Sequence, residues 1–268
     1  MVLAFALGGP VWAGACCVGS TSTLPILVGE CERGTLAVGL DVQQTLGHWD
    51  RAGDPEIGSH AEQAAVAMVG GAVRVNRRWQ VGATLPARVN HLETSDATYW
   101  GGGPGDTTVH ALWDPLEEST GPVPLVTGTV RVPTGTSAAD ATGRLMEDVT
   151  GLEGPAATLG ASLDRSLGKT PWTLGVTGEL SERPAAGAVA SVGRYLNTSW
   201  SVSLSASHLR RWSGDGYVAA TDGTLRLITG RPVAWRAWVQ GRAGVPLASL
   251  GRSAPIEGGF GGGFVKVF

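Results

Sequence analysis

Charge is what this chain has least of. Only 16% of its 268 residues are Asp, Glu, Lys or Arg, and they nearly cancel to a net −3. A soluble domain commonly carries about 25%, so this surface has little to offer water. The near-neutral balance also excludes a general nucleic-acid binder, which needs a basic face. Long hydrophobic runs are missing as well. No stretch of about 18 apolar residues follows the N-terminus, which excludes a helical membrane span. Heptads are absent and helical periodicity is scarce, so the chain reads as all-β. Metal-site spacings are lacking too. Of His48, His60, His91, His110 and His208, only His110 and His208 are expected on strands, and no HxH or HExxH occurs.

What is abundant is glycine, 41 residues, and tryptophan, 10. Five tryptophans sit beside short polar turns: Trp79, Trp113, Trp172, Trp200 and Trp235. Tryptophan has an apolar body and one N–H donor, so it favours the level where hydrocarbon meets headgroups. A ring of them at the ends of many strands is the aromatic girdle of a transmembrane β-barrel. The competing fold is a soluble β-sandwich with those rings in its core.

Strict alternation recurs along the chain, as a barrel requires. Residues 200–208 set Trp200, Val202, Leu204 and Ala206 against Ser201, Ser203, Ser205 and Ser207. Similar segments run over 35–49, 79–89 and 172–180. Further strands are expected near 64–76, 106–113, 123–133, 157–167, 188–196, 222–229, 235–245 and 258–268. The total is twelve, an even number. The expected fold is therefore a single closed antiparallel transmembrane β-barrel, an up-and-down meander over residues 35–268. Short connections at 77–78, 114–122, 168–171, 197–199 and 230–234 are expected on the periplasmic side. Longer ones near 50–63, 90–105, 134–156, 181–187, 212–221 and 246–257 are expected outside, with Trp49, Trp100 and Trp212 near that rim. Pro86, Pro133 and Pro246 fall near the outer ends of outward-running strands, since proline gives no donor to a ladder.

Residues 1–15, MVLAFALGGPVWAGA, read as a signal peptide with Ala13-Gly14-Ala15 as its cleavage site. Residues 16–34 then form a periplasmic segment that can lie across the barrel mouth or enter the lumen as a plug. It holds all three cysteines, Cys16, Cys17 and Cys31. In an oxidising compartment, joining Cys31 to Cys16 or Cys17 closes a loop of about 15 residues, worth roughly 3 kcal/mol. A lipid on Cys16, leaving Cys17 to pair with Cys31, is the alternative.

By strand parity Arg74, Arg88, Arg131, Arg226, Arg236 and Arg242 project inward, against the acids Asp41, Asp164 and Glu179; the register leaves Arg194 open. Rings of arginine in a pore favour anions. The expected role is passive transport of small solutes with an anion lean. The alternative is a structural or adhesion barrel with a filled lumen that acts through its outer loops. No catalytic residue, cofactor or metal is assigned. The run Gly101-Gly102-Gly103-Pro104-Gly105-Asp106 lacks the Lys and helix of a phosphate loop. His208 faces outward while its neighbouring serines face inward, so no lipid-facing Ser–His pair forms.

The last residues, Phe260-x-x-x-Phe264-x-x-x-Phe268, resemble the C-terminal signal of bacterial outer-membrane barrels, with Lys266 as a departure. The resemblance implies export to the bacterial outer membrane, with its lipid and the barrel-assembly machinery as partners. Gly103-Pro104-Gly105-Asp106, Val132-Pro133-Thr134-Gly135 and Asp148-Val149-Thr150-Gly151 are similar to stretches in one barrel family. That family is the outer-membrane transporters grouped with a phenol-degradation (MetA-pathway) protein, and it implies a transport role. The barrel reading predicts a mature polypeptide that needs detergent or lipid to stay dispersed and whose SDS-gel mobility shifts on heating. A chain freely dispersible in plain buffer would return the sandwich.

Overall fold

Successive side chains of a strand point to opposite faces, so a sheet closed on itself has one inner and one outer surface. The computed structural model describes residues 33–49, 55–93, 97–116, 122–137, 140–143, 148–151, 154–165, 170–196, 200–213, 216–231, 235–250 and 254–268. The expected signal peptide, the plug segment up to residue 32 and the three cysteines lie outside them.

The strands are β1 (Gly34–Trp49), β2 (Pro55–Arg74), β3 (Trp79–Glu93), β4 (Thr98–Pro104), β5 (Thr107–Trp113), β6 (Val123–Val132) and β7 (Ala156–Arg165). They continue as β8 (Trp172–Leu180), β9 (Ala185–Tyr195), β10 (Trp200–Ser213), β11 (Gly216–Arg231), β12 (Trp235–Leu250) and β13 (Ala254–Val267). All pairings are antiparallel, and β1 pairs with both β2 and β13, which closes the sheet. β4 and β5 lie end to end against β3, as Ala87↔Pro104 and Thr84↔Thr108 show. They are two halves of one stave, and the barrel has twelve staves. The break at Gly105-Asp106 stands opposite Pro86, whose missing N–H weakens the ladder there. Gly105 N donates to Pro86 O at 2.8 Å.

Arg33 N donates to Phe268 O at 2.8 Å and Phe268 N to Gly34 O at 3.0 Å. The rim carrying these residues is called the near rim, the opposite one the far rim.

Burial is inverted relative to a soluble protein. Adjacent residues make the point: Leu40 is 52% exposed and Asp41 0%; Leu225 is 57% and Arg226 5%; Val239 is 58% and Gln240 5%. The outer surface is a continuous apolar band, while polar groups are packed inside. Only hydrocarbon makes such a surface favourable, and only a closed sheet satisfies its backbone there.

Several expectations are corrected by the strand lengths. β2, β11 and β13 extend further than their alternation suggested, and β3 and β4 occupy most of 90–105. Segments 212–221 and 246–257 are likewise largely strand. The contrast between short and long connections therefore disappears, except for the 133–155 segment between β6 and β7. The strand extensions are rich in Gly, Ala and polar residues, so their partners rather than their own pattern hold them. His60 and His91 consequently lie on strands, and His48 lies on β1 near its end. Pro86 sits inside β3, and Pro246 inside β12 beside a register shift, not at strand ends.

The 133–155 segment folds back on the bulged stave. Thr150 Oγ1 donates to Pro104 O (2.6 Å), Thr134 Oγ1 to Gly105 O (2.7 Å), and Gly135 N to Asp106 Oδ1 (3.1 Å). These bonds take the place of a ladder along the edge of β4 that faces away from β3.

β13 presents Gly259, Gly261 and Gly263 to the interior, and here glycine is required by space. A Cβ on Gly261 would collide with Asp41 Oδ1 and sit 2.9 Å from Leu40 O. A Cβ on Gly263 would meet Gly39 Cα at 2.8 Å and Trp238 Nε1 at 3.1 Å. The closing strand is bare so that side chains of β1 and β12 can lean over it. Gly261→Val is therefore expected to impair closure of β13 on β1. The check is the folded fraction on unheated SDS gels after refolding into detergent, which should fall well below that of a Gly128→Val control, where a Cβ meets nothing within 4 Å.

Candidate functional site: the barrel lumen

The inner faces of the staves differ around the barrel. β6 to β10 contribute mainly small hydroxylated residues and glycine, among them Thr127, Thr129, Thr158, Ser162, Thr173, Ser201, Ser203 and Ser205. β11, β12 and β1 to β3 contribute larger ones, among them Arg226, Trp238, Arg242 and Met68, around the glycines of β13, while β6 to β10 also carry Arg131, Asp164, Glu179, Tyr195 and Arg211. The lumen thus has a small-residue wall and a filled wall.

On the filled wall two layers are stacked. The one nearer the near rim is apolar: Ala37, Val66, Met68, Trp238, Val265 and Val267 form a buried cluster, with Ile228 packed against it. The next is polar. Arg242 pairs with Asp41 at 3.1 Å, and Gln43 Nε2 donates to the same carboxylate at 3.1 Å. Arg226 donates from Nε and Nη2 to Gln240 Oε1 at 3.0 and 2.7 Å. Its guanidinium lies 5.6 Å above the Trp238 ring, within cation–π range. Trp238 Nε1 is buried and has no hydrogen-bond partner among the described residues. An orphaned donor of this kind costs about 1–3 kcal/mol.

The other expected lumen residues lie as follows. Arg131 is buried, 3.6 Å from Asp106, and Arg88 bonds Asn90 and approaches Glu62 at 4.0 Å. Arg236 is buried on the inner face of β12. Arg74 is at the near rim, donating to Arg77 O at 3.1 Å. Asp164 accepts from Thr173 Oγ1 at 2.6 Å, and Glu179 pairs with Arg211 at 3.1 Å. Arg194, left open by parity, is exposed and faces out.

Six inward side chains of consequence are absent from the set expected by parity. Trp238 shares the parity of Arg236 and Gln240, so its inward placement was present as a signal in the strand alternation. Arg211 lies past the end expected for its strand. Glu62 and Glu257 lie just beyond the strand bounds expected from alternation, while Asp106 and Asp222 open the expected strands 106–113 and 222–229 and share the inward parity of Leu112 and Arg226. With them included, the inward acids match the inward arginines one for one among the described residues. The field of the lumen is balanced rather than positive.

Of the girdle candidates, Trp79, Trp200 and Trp235 are exposed on the outer surface near the near rim, and Trp113 stacks on Trp79 at 6.2 Å between centroids. Trp172 is half-buried on the same rim. At the far rim Trp100 and Trp212 are exposed; the Trp100 ring meets that of His91 at a tilt of 33°, 4.3 Å between centroids, and Arg210 lies over Trp212 and Tyr217 at 5.5 and 3.9 Å. The side chain of Trp49 is outside the described set. Phe260, Phe264 and Phe268 are all outward and more than 60% exposed, with Lys266 between the last two on the same face. His208 is exposed on the outer surface, its Nδ1 3.0 Å from Thr221 Oγ1.

The Asp41–Arg242 pair is enclosed, with side-chain exposures of 0% and 8%. Removing one partner of such a pair strands the other charge, at a cost of about 3–5 kcal/mol. Asp41→Ala is expected to lose stability on that scale, read by urea unfolding in lipid vesicles through tryptophan fluorescence. The double variant Asp41→Ala/Arg242→Met should recover much of the loss.

No family model matches the chain, and no curated protein matches it in sequence. Solved structures do match in fold. The COG4313 outer membrane channel from Pseudomonas putida F1 superimposes with a TM-score of 0.68 at 14% identity, over 93% of this chain and 98% of that one. The NanC porin gives 0.50 at 10% identity, over 85% and 99%. The beta domain of the Bordetella autotransporter BrkA gives 0.50 at 9% identity, over 88% and 100%. At these identities the likeness speaks to fold alone, and it agrees with the outer-membrane transporter barrels that the sequence resembles. By its closed meander, its apolar outer band and these likenesses, the protein is a twelve-stranded β-barrel of the bacterial outer membrane.

Proposed function

We propose that this barrel is a passive pore through which small solutes cross the outer membrane. The observation that carries the reading is the unequal lumen: a small-residue hydroxylated wall on β6 to β10 faces the filled wall. Small side chains leave cross-section for a solute, and hydroxyls replace part of its hydration. The likeness to an outer-membrane channel and a porin supports the same reading, although the autotransporter domain shows that this fold serves other ends. No catalytic residue and no cofactor enters the proposal. Small solutes, outer-membrane lipid and the barrel-assembly machinery are its partners, the last through the outward Phe260, Phe264 and Phe268. The near rim is taken as periplasmic, with residues 16–34 beneath it as a plug.

The anion lean expected from the arginines alone is weakened by the matching acids. A balanced lumen favours modest ion selectivity and passage of small polar solutes of either sign or none. A second reading, a filled barrel working through its far-rim surface, is favoured by the deep burial of Asp41, Arg226 and Trp238.

Planar-bilayer recording separates these readings. The pore reading expects stepwise conductance and, under a KCl gradient, a reversal potential close to zero. A strongly positive lumen would give clear anion selectivity, and the filled barrel would give no steps. Deleting 16–32, which leaves Arg33 and Gly34 in the closing ladder, is expected to raise conductance; an unchanged value would remove the plug.

A further inference from the structure

Resting on the pore reading, we propose that Trp238 is the size-selecting wedge of the lumen, clamped by Arg226 and seated over the bare stave β13. Trp238 stands on β12, yet it shares one buried cluster with Val66 and Met68 of β2. Those staves are three apart in the closed sheet, with β13 and β1 between them. At about 4.8 Å between strands, the separation along the wall is roughly 14 Å. The cluster spans that distance through Ala37 of β1 and Val265 and Val267 of β13. The indole is its largest member, and it is only 2% exposed.

The surroundings are arranged to hold the ring in that position. Gly263 leaves the space into which Nε1 points, since a Cβ there would stand 3.1 Å from that nitrogen. Arg226 stands over the ring at 5.6 Å from its centroid, and both of its bonds to Gln240 fix the guanidinium. The Asp41–Arg242 pair forms part of the same polar layer and limits retreat toward the far rim. Side chains on the wall formed by β7 to β10 are mostly Ser, Thr and Gly at the corresponding inward positions. The facing wall thus carries mainly hydroxyls where the filled wall carries the buried Trp238–Arg226 pair, and the indole is the bulkiest group of that wall. Substitutions at Trp238 should change the size limit more than the charge preference, because every charge remains in place.

The test uses the full mature chain in planar bilayers and in liposome swelling with neutral sugars of increasing size. Trp238→Ala is expected to raise unit conductance several-fold and admit larger sugars, with the reversal potential unmoved. Trp238→Leu, which keeps apolar packing but removes the indole, should show the same change to a smaller degree and guards against misfolding of the alanine variant. Val265→Ala loosens the same cluster without removing the wedge, and its size limit should stay near that of the parent. Heat-modifiable mobility on SDS gels establishes that each variant is folded. If the parent conducts and both Trp238 variants keep its conductance and size limit, the wedge is overturned while the pore reading stands. An equal gain in Val265→Ala would also overturn it, since mere loosening would then suffice. Silence of the parent and all variants would overturn the pore reading itself.

Discussion

A strand inside hydrocarbon has no water to satisfy its N–H and C=O groups, and each one left open costs several kcal/mol. Everything else in this barrel follows from that constraint. The sheet closes because β1 finds β13 through an unbroken register apart from one shift near Gly47. Where Pro86 removes a donor, the ladder bulges at Gly105-Asp106, and threonines from the 133–155 segment supply bonds that a strand would have made. Closure then dictates two faces of opposite character. Leucine and valine meet lipid, and arginine, aspartate and glutamine are left to pack with one another inside.

That interior packing brings its own requirements. A buried charge is tolerable only when paired and bonded, so arginines on the inner face come with acids or amides. Asp41 serves Arg242, Glu179 serves Arg211, Asp106 serves Arg131, and Gln240 serves Arg226. Pairs that lie on neighbouring staves also knit the wall. The glycines of β13 belong to the same logic. Large side chains can lean across the seam only if the closing strand has none of its own there, and the result is a lumen filled on one side and open-grained on the other.

The outer surface was the more legible half. Alternation in residues 200–208 or 172–180 is visible without any partner, because lipid imposes one polarity on every second residue. Tryptophans at turns mark the headgroup level for a similar reason. Strand ends were less legible: Pro55 to Gln63 and Gly216 to Thr221 have weak alternation, and their extension is held by bonds to neighbours. Missing the first of those ends hid Glu62, while Asp222 was legible by its parity with Arg226; leaving both out inflated the positive character ascribed to the lumen. Trp238 was legible in parity alone, since it sits two residues from Arg236 and two from Gln240.

The order of apolar and polar residues along the chain by itself determined an all-β barrel pattern, because lipid imposes one polarity on every second residue, and the number of alternating segments gave its twelve staves. Which side chains meet inside is a different matter. Trp238 comes over Gly263 to the Met68 cluster, and Arg242 reaches Asp41, only once β12, β13, β1 and β2 are placed side by side with a definite stagger. That stagger arises from closing the sheet between residues some two hundred positions apart, information that no local stretch of sequence contains.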